Sequence, residues 1–266
     1  MDLDLDDTRA AALATTLEQA ARALGSVRYG RVLRLAAASV VLNPDSPLAS
    51  ANHASTFVGG PGAVETALLL LPEVWAEVGL PAVHVVASPA SAPELGLLCE
   101  ELEYEAVEET SAMLLTDPAR LVEGEPGIRV RPVPEEAEDL LPPLLAEGLG
   151  WRPAVARRQR VALGHRLDDA RHLAVGAWVD GELVGVATGF RHGAVGQVVD
   201  VVVAEGHRRR GLGRALVSAV AASHLTAGAS LVWLSVEAGG RAERACELLG
   251  FATAYEAVTY VLPLEA

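Results

Sequence analysis

One segment of the 266-residue chain has the residue types and spacing to hold a phosphate chain: Arg208-Arg209-Arg210-Gly211-Leu212-Gly213, followed directly by Arg214. Backbone N–H groups at the start of a helix have no intrahelical partner, and the helix dipole favours negative charge there. Such a turn binds anions wherever the backbone can come close. Gly211 and Gly213 remove side chains that would block the oxygens, and four arginines surround the same turn with positive charge. By itself an R-x-x-G-x-G run is equally a solvated turn. Context favours phosphate, because the β-branched run Val198 to Val203 precedes the loop and an apolar helix from Leu212 to about Thr226 follows it.

Other residues could move protons. Asp200 lies on the strand that leads into the loop and is the best carboxylate candidate for a base; it reads equally as a strand carboxylate paired with an arginine. Alternation puts it on the face opposite Val201 and Val203. The two cysteines, Cys99 and Cys246, are far apart and lack metal-ligand spacing, so neither a disulfide framework nor a metal site is expected.

These residues need a scaffold, and the second half supplies a legible one. Ile128 to Val133 reads as a strand, Pro134 to Leu145 and Ala154 to Leu167 as helices. Leu173 to Val179 and Leu183 to Phe190 flank Asp180-Gly181, a dipeptide suited to a two-residue hairpin turn. Leu231 to Val236 gives a further strand, Arg241 to Leu249 a short helix ending at Gly250, and Phe251 to Leu264 a last extended stretch. The predicted order is β-α-α-β-β-β-α-β-α-β.

In the first half, Asp7 to Leu24 has helical spacing and Arg31 to Leu42 reads as a strand. Gly60-Pro61-Gly62 opens an apolar helix, Ala82 to Ala87 follows as a strand, and Cys99 to Tyr104 precedes another extended stretch. At an offset of 147 residues Cys99 to Tyr104 lies opposite Cys246 to Phe251, and Gly60-Pro61-Gly62 lies near Gly211-Leu212-Gly213 with small shifts. This reads either as a degenerate internal repeat or as chance. Thr116 to Gly127, with its Pro and Gly, is the expected linker, which gives a module over residues 1–120 and a domain over 127–266.

Charge divides the same way: residues 1–126 hold 19 acids and 6 bases, while 127–266 hold 16 acids and 15 bases. A net charge of −14 disfavours nucleic acid as a partner and favours a cationic one, or serves only solubility. All 21 basic residues are arginine, a composition read as genomic bias. No apolar run reaches the roughly 18 to 20 residues of a membrane span, and the acidic opening Met1 to Asp7 is unlike an export signal. The expectation is a cytoplasmic protein with no membrane partner.

Taken together, the run Val203 to Leu216, with its loop and glycines, resembles the acyl-CoA signature of the GCN5-related N-acetyltransferases (GNAT), and Leu249-Gly250-Phe251 resembles a second family hallmark. The resemblance covers about 140 residues. It implies an α/β fold of α+β type, with a mixed central sheet that is splayed and flanked by helices, beside an N-terminal degenerate GNAT-like module. It implies acetyl-CoA as co-substrate, its pyrophosphate on backbone N–H groups from Arg209 to Arg214 beside Arg208, Arg210, Gly211, Leu212 and Gly213. The pantetheine arm would pair with Val201, Val202 and Val203, where backbone donors can stabilise an oxyanion. The activity implied is acetyl or short-acyl transfer to an amine of a small molecule or peptide; the alternative is a non-catalytic acyl-CoA-binding sensor or interaction module.

Departures from the family pattern matter. The base of histone-acetylating members falls at Gln197, and an amide cannot take a proton. The family's proton-donating Tyr falls at Cys246, which reads as donor or as core packing; Tyr255 and Tyr260 are substitute donors. The family's Asn falls at Gly239. His207 reads as a phosphate contact or as an exposed loop residue. In the first half Phe57 takes the place of Arg208, and Pro61 deletes an N–H donor, so that half is expected to bind no CoA. It would instead wall the substrate cleft or mediate homodimerisation, its acidity drawing amines toward the site.

Overall fold

The computed structural model describes residues 2–27, 30–46, 48–123 and 128–264. They fall into two compact units, one of residues 1–112, 236–240 and 253–266, the other of 113–235 and 241–252. The division does not follow chain order, since the closing segments group with the first 112 residues. Residues 124–127 of the expected linker lie outside the described residues. No described helix is long and apolar enough to cross a membrane.

The first unit opens with α1 (Asp7–Gly25), whose N-cap Asp6 accepts a hydrogen bond from the Arg9 amide at 2.9 Å. The expected single strand from Arg31 to Leu42 is a hairpin of β1 (Arg31–Leu35) and β2 (Ala38–Leu42). Its turn places Ala36 at φ 47°, where the sequence offers no Gly or Asn to announce a reversal. β3 (His53–Ser55), α2 (Pro61–Glu77), β4 (Ala82–Ala87), α3 (Leu95–Glu101) and β5 (Glu105–Leu115) follow. The chain's last strand, Phe251–Pro263, lies between β4 and β5, giving the order β1-β2-β3-β4-last-β5. Trp75, Phe57, Leu68 and Leu71 are fully buried in this unit's core.

The second unit is built from β6 (Arg129–Pro132), α4 (Leu141–Gly148), α5 (Pro153–Leu167), β7 (His172–Val179), β8 (Glu182–His192), β9 (Val195–Val203), α6 (Leu212–Thr226), β10 (Leu231–Glu237) and α7 (Arg241–Leu248). Its sheet order is β10-β9-β8-β7-β6, antiparallel except for the parallel β9–β10 pair. Asp180 and Gly181 both have positive φ, 51° and 90°, as a tight hairpin turn with the strands' twist requires. The helix expected from Pro134 is broken: a 3₁₀ turn covers Glu135–Leu140, and α4 restarts at Leu141. Pro142 and Pro143 then fall in a first turn, where a missing N–H costs nothing.

Two features of β9 shape the site. Its register with β10 covers Leu231↔Val195 to Trp233↔Gln197, while β9 runs on to Val203, so the two strands part after Gln197. Against β8, Gly189 pairs with Val198 but Ala187 pairs with Val201, an extra residue that makes a β-bulge. The bulge inverts the alternation. A Cβ on Gly196 would strike His224 of α6, whereas Val202 packs with Leu141, Leu145 and Leu163 from α4 and α5. On an unbroken strand residues 196 and 202 would share one face.

Candidate active site

The loop between β9 and α6 has the backbone shape that an anion cradle needs. A 3₁₀ turn at Glu205–His207 leads into Arg208, and two left-handed residues follow, Arg209 at φ 62° and Gly211 at φ 75°. Gly211 is the N-cap of α6 and makes no side-chain cap, so the amides of the helix's first turn stay directed outward. A Cβ added at Gly213 would meet no protein atom within 4 Å, so space lies open where a phosphate oxygen would approach. The loop lines a cleft of about 580 Å³ whose wall includes Val203, His207, Gly213 and, from α7, Arg241 and Ala245. Arg208, Arg209 and Arg214 line the same cleft, and no acidic residue does.

The loop arginines divide into held and unheld ones. Arg208 Nε donates to the Val203 carbonyl at 3.1 Å, tying the loop to the end of β9. Arg210 and His207 Nδ1 lie 3.2 Å apart, with the guanidinium as donor. The side chains of Arg209, Arg214 and Arg241 make no hydrogen bond or ion pair among the described residues. Because β10 departs after Gln197, the β9 edge that carries Val201 and Val203 has no strand partner on that side among the described residues. A thioester arm extended along that edge therefore has backbone donors and acceptors to meet. The residues present fit an acyl-CoA: outward amides, glycine clearance, guanidinium groups and an open strand edge stand in one cleft wall.

Asp200 lies within the bulge, opposite Thr188 and near α5. Thr188 Oγ1 donates to its Oδ2 at 3.2 Å, and the Arg166 guanidinium from α5 stands 3.8 Å away. Burial lowers the Arg166 pKa and Asp200 opposes it, so the carboxylate offsets a buried charge. Arg166 and Thr188 were not legible as site residues; nothing in their spacing announces a contact made across two strands and a helix. Close to them, His172 is buried with neither ring nitrogen hydrogen-bonded among the described residues. Burial, with help from Arg166, pushes its pKa down to about 3. Gln197 Oε1 is also buried without a partner among the described residues, while the Gln197 carbonyl meets His224 Nε2 at 3.0 Å.

The proton-donor candidates Cys246, Tyr255 and Tyr260 are all buried. Cys246 in α7 is 5% exposed, and burial, aided by Glu243, pushes its thiol up to about 12. Tyr255 belongs to the first unit, buried, with its phenol raised first by burial and then by Glu18. Tyr260 also lies in the first unit and packs in its core.

The first unit's own strand-to-helix passage is closed. Beyond β3, the Phe57 amide donates to Ser91 Oγ at 3.2 Å, and the Ala92 amide donates to the Phe57 carbonyl at 2.7 Å. The chain itself thus takes the edge groups that β9 leaves open. α2 then starts with Pro61 after N-cap Gly60, one donor short.

Residues 139–251 match the model of the acetyltransferase (GNAT) family. No curated protein matches the sequence. Among solved structures, a GCN5-related N-acetyltransferase from Kribbella flavida aligns with a TM-score of 0.70 at 20% identity over 96% of each chain. One from Sphaerobacter thermophilus aligns at 0.66 and 22% identity, covering 88% of this chain and 83% of its own. A structure described as a tandem GNAT protein from the clavulanic acid biosynthesis pathway aligns at 0.62 and 16% identity, over 86% of this chain and 79% of its own. At these identities the likeness is one of fold, a mixed α+β sheet flanked by helices.

Proposed function

We propose that the chain, whose residues 139–251 match the acetyltransferase (GNAT) family model, moves an acetyl or other short acyl group from acyl-CoA to an amine of a small molecule or peptide. The observation that carries this reading is the cleft wall where the open edge of β9, the left-handed turn at Arg209 and Gly211 and the clearance at Gly213 meet. When bound, acyl-CoA supplies the activated carbonyl. The amides at the start of α6 hold the diphosphate, and the backbone edge at Val201 to Val203 positions the arm and offers donors to a developing oxyanion.

Asp200 is the proposed acceptor of the ammonium proton, held in place by Thr188 and Arg166. Cys246 is assigned to packing, because a thiol at about 12 gives its proton poorly to a thiolate whose own acid has a pKa near 8.5. We assign Tyr255 to packing as well, so the departing sulfur takes its proton from solvent in the cleft.

The first unit is proposed to be a degenerate module of the same kind that binds no CoA. α3 and α7 are short helices that each carry a buried cysteine and lead into a strand, and the closed edge at Phe57 supports loss of the slot. The description of a structural neighbour as a tandem GNAT supports it too. Its proposed role is to mediate homodimerisation, and the chain's net charge of −14 favours cationic amines.

Thiol release from acetyl-CoA, measured across polyamines, aminoglycosides, amino acids and peptides, tests the reading together with CoA titration. We expect turnover with at least one amine, one CoA bound per chain, and loss of binding in Gly213→Val with an unchanged melting curve. CoA binding with no turnover on any amine would make the protein a sensor; unchanged affinity in Gly213→Val would remove the site.

A further inference from the structure

The cleft holds more free positive charge than a diphosphate requires. A diphosphate diester carries about two negative charges, and the outward amides of α6 already serve it. Yet three guanidinium groups with no hydrogen bond or ion pair among the described residues, Arg209, Arg214 and Arg241, line the same cleft without an acid among its lining residues. This occurs in a chain of net charge −14, where acids outnumber bases 35 to 21.

Arg241 stands apart from the others because it comes from α7 rather than from the phosphate loop. Arg209 keeps its side chain at a backbone angle, φ 62°, that favours glycine. Unpaired like charges that converge on one cleft repel each other, and an anion placed among them relieves that repulsion.

We propose that Arg241, with Arg209, forms a subsite for a phosphate monoester beyond the diphosphate, so the protein selects co-substrates that carry the ribose 3′-phosphate of CoA over those that lack it. A phosphate monoester carries about −1.5 to −2 charge at neutral pH and offers three acceptor oxygens, a match for guanidinium donors. The inference rests on the acyl-CoA reading above.

Titration calorimetry of the full chain with CoA and with dephospho-CoA tests it, using wild type, Arg241→Gln and, as a control on the same helix, Arg244→Gln. Wild type is expected to bind CoA about tenfold or more tighter than dephospho-CoA, the ratio that one charged hydrogen-bonding contact supports. Arg241→Gln should bring the two affinities together by weakening CoA alone, and Arg244→Gln should keep the wild-type ratio. Equal affinities in wild type, or an undiminished ratio in Arg241→Gln, would overturn the subsite while leaving the acyl-CoA reading intact. Failure of wild type to bind either ligand would overturn both.

Discussion

Thr188 and Asp200 hold each other twice: the Thr188 hydroxyl accepts from the Asp200 amide at 3.2 Å and donates to its carboxylate at 3.2 Å. The pair sits at the β9 bulge, where the ladder lacks a regular partner, so one side chain secures both the backbone and the carboxylate of the neighbouring strand.

Separating these two tasks tests the proposed base. Asp200→Asn should lower kcat by about 10²-fold, the usual contribution of a general base, and should destabilise by about 3 kcal/mol because Arg166 loses its counter-charge. Thr188→Val should cost about 1–3 kcal/mol yet keep most of the turnover. Equal losses of turnover in both variants, assayed well below their melting temperatures, would assign Asp200 to structure alone.

Arg209 trades stability for charge. Relief of its left-handed strain predicts that Arg209→Gly raises the unfolding free energy by about 1 kcal/mol in urea titration. CoA binding should weaken at the same time. A variant less stable than wild type would show that contacts of the arginine side chain outweigh the backbone strain.

His172 sets an acid limit on stability. Its folded pKa of about 3 lies below the ordinary value of 6.5, so the native state prefers the neutral ring. The stabilisation is complete above pH 6.5 and is lost as pH falls from 6.5 toward 3, by an amount on the order of a few kcal/mol. His172→Phe should flatten that limb and, by removing a buried polar ring without a partner among the described residues, should be neutral or stabilising at pH 7. An acid limb identical to wild type would place the titration elsewhere, His53 being the next buried ring, at about 4.

Cys246 should prove a packing residue. Cys246→Ala is expected to keep turnover within about twofold and to cost about 1 kcal/mol, the scale of a small buried side chain. A hundredfold loss of kcat with stability preserved would instead give the thiol a part in proton transfer.

The local elements of the site were legible because each rests on short-range physics. Steric freedom at Gly211, the β-branched run before it and the apolar periodicity after it placed a strand, a basic loop and a helix in that order. Asp180-Gly181 similarly announced its hairpin. The break before α4 was less visible, since Pro142 and Pro143 serve equally as interruption or as first turn. The reversal at Ala36 left no trace, because pairing between β1 and β2 imposes a backbone angle that alanine does not prefer. Likewise the bulge that aims Asp200 at Thr188 and Arg166 comes from register between strands, a long-range property with no residue signature. Arg241 joined the phosphate loop by the same route: a helix start 27 residues after Arg214 becomes part of one cleft only when the parallel pairing of β9 and β10 carries the chain back. Residue types and their spacing therefore determined that a glycine-bearing basic loop joins a strand to a helix, and only strand register and helix placement decided which distant side chains face it.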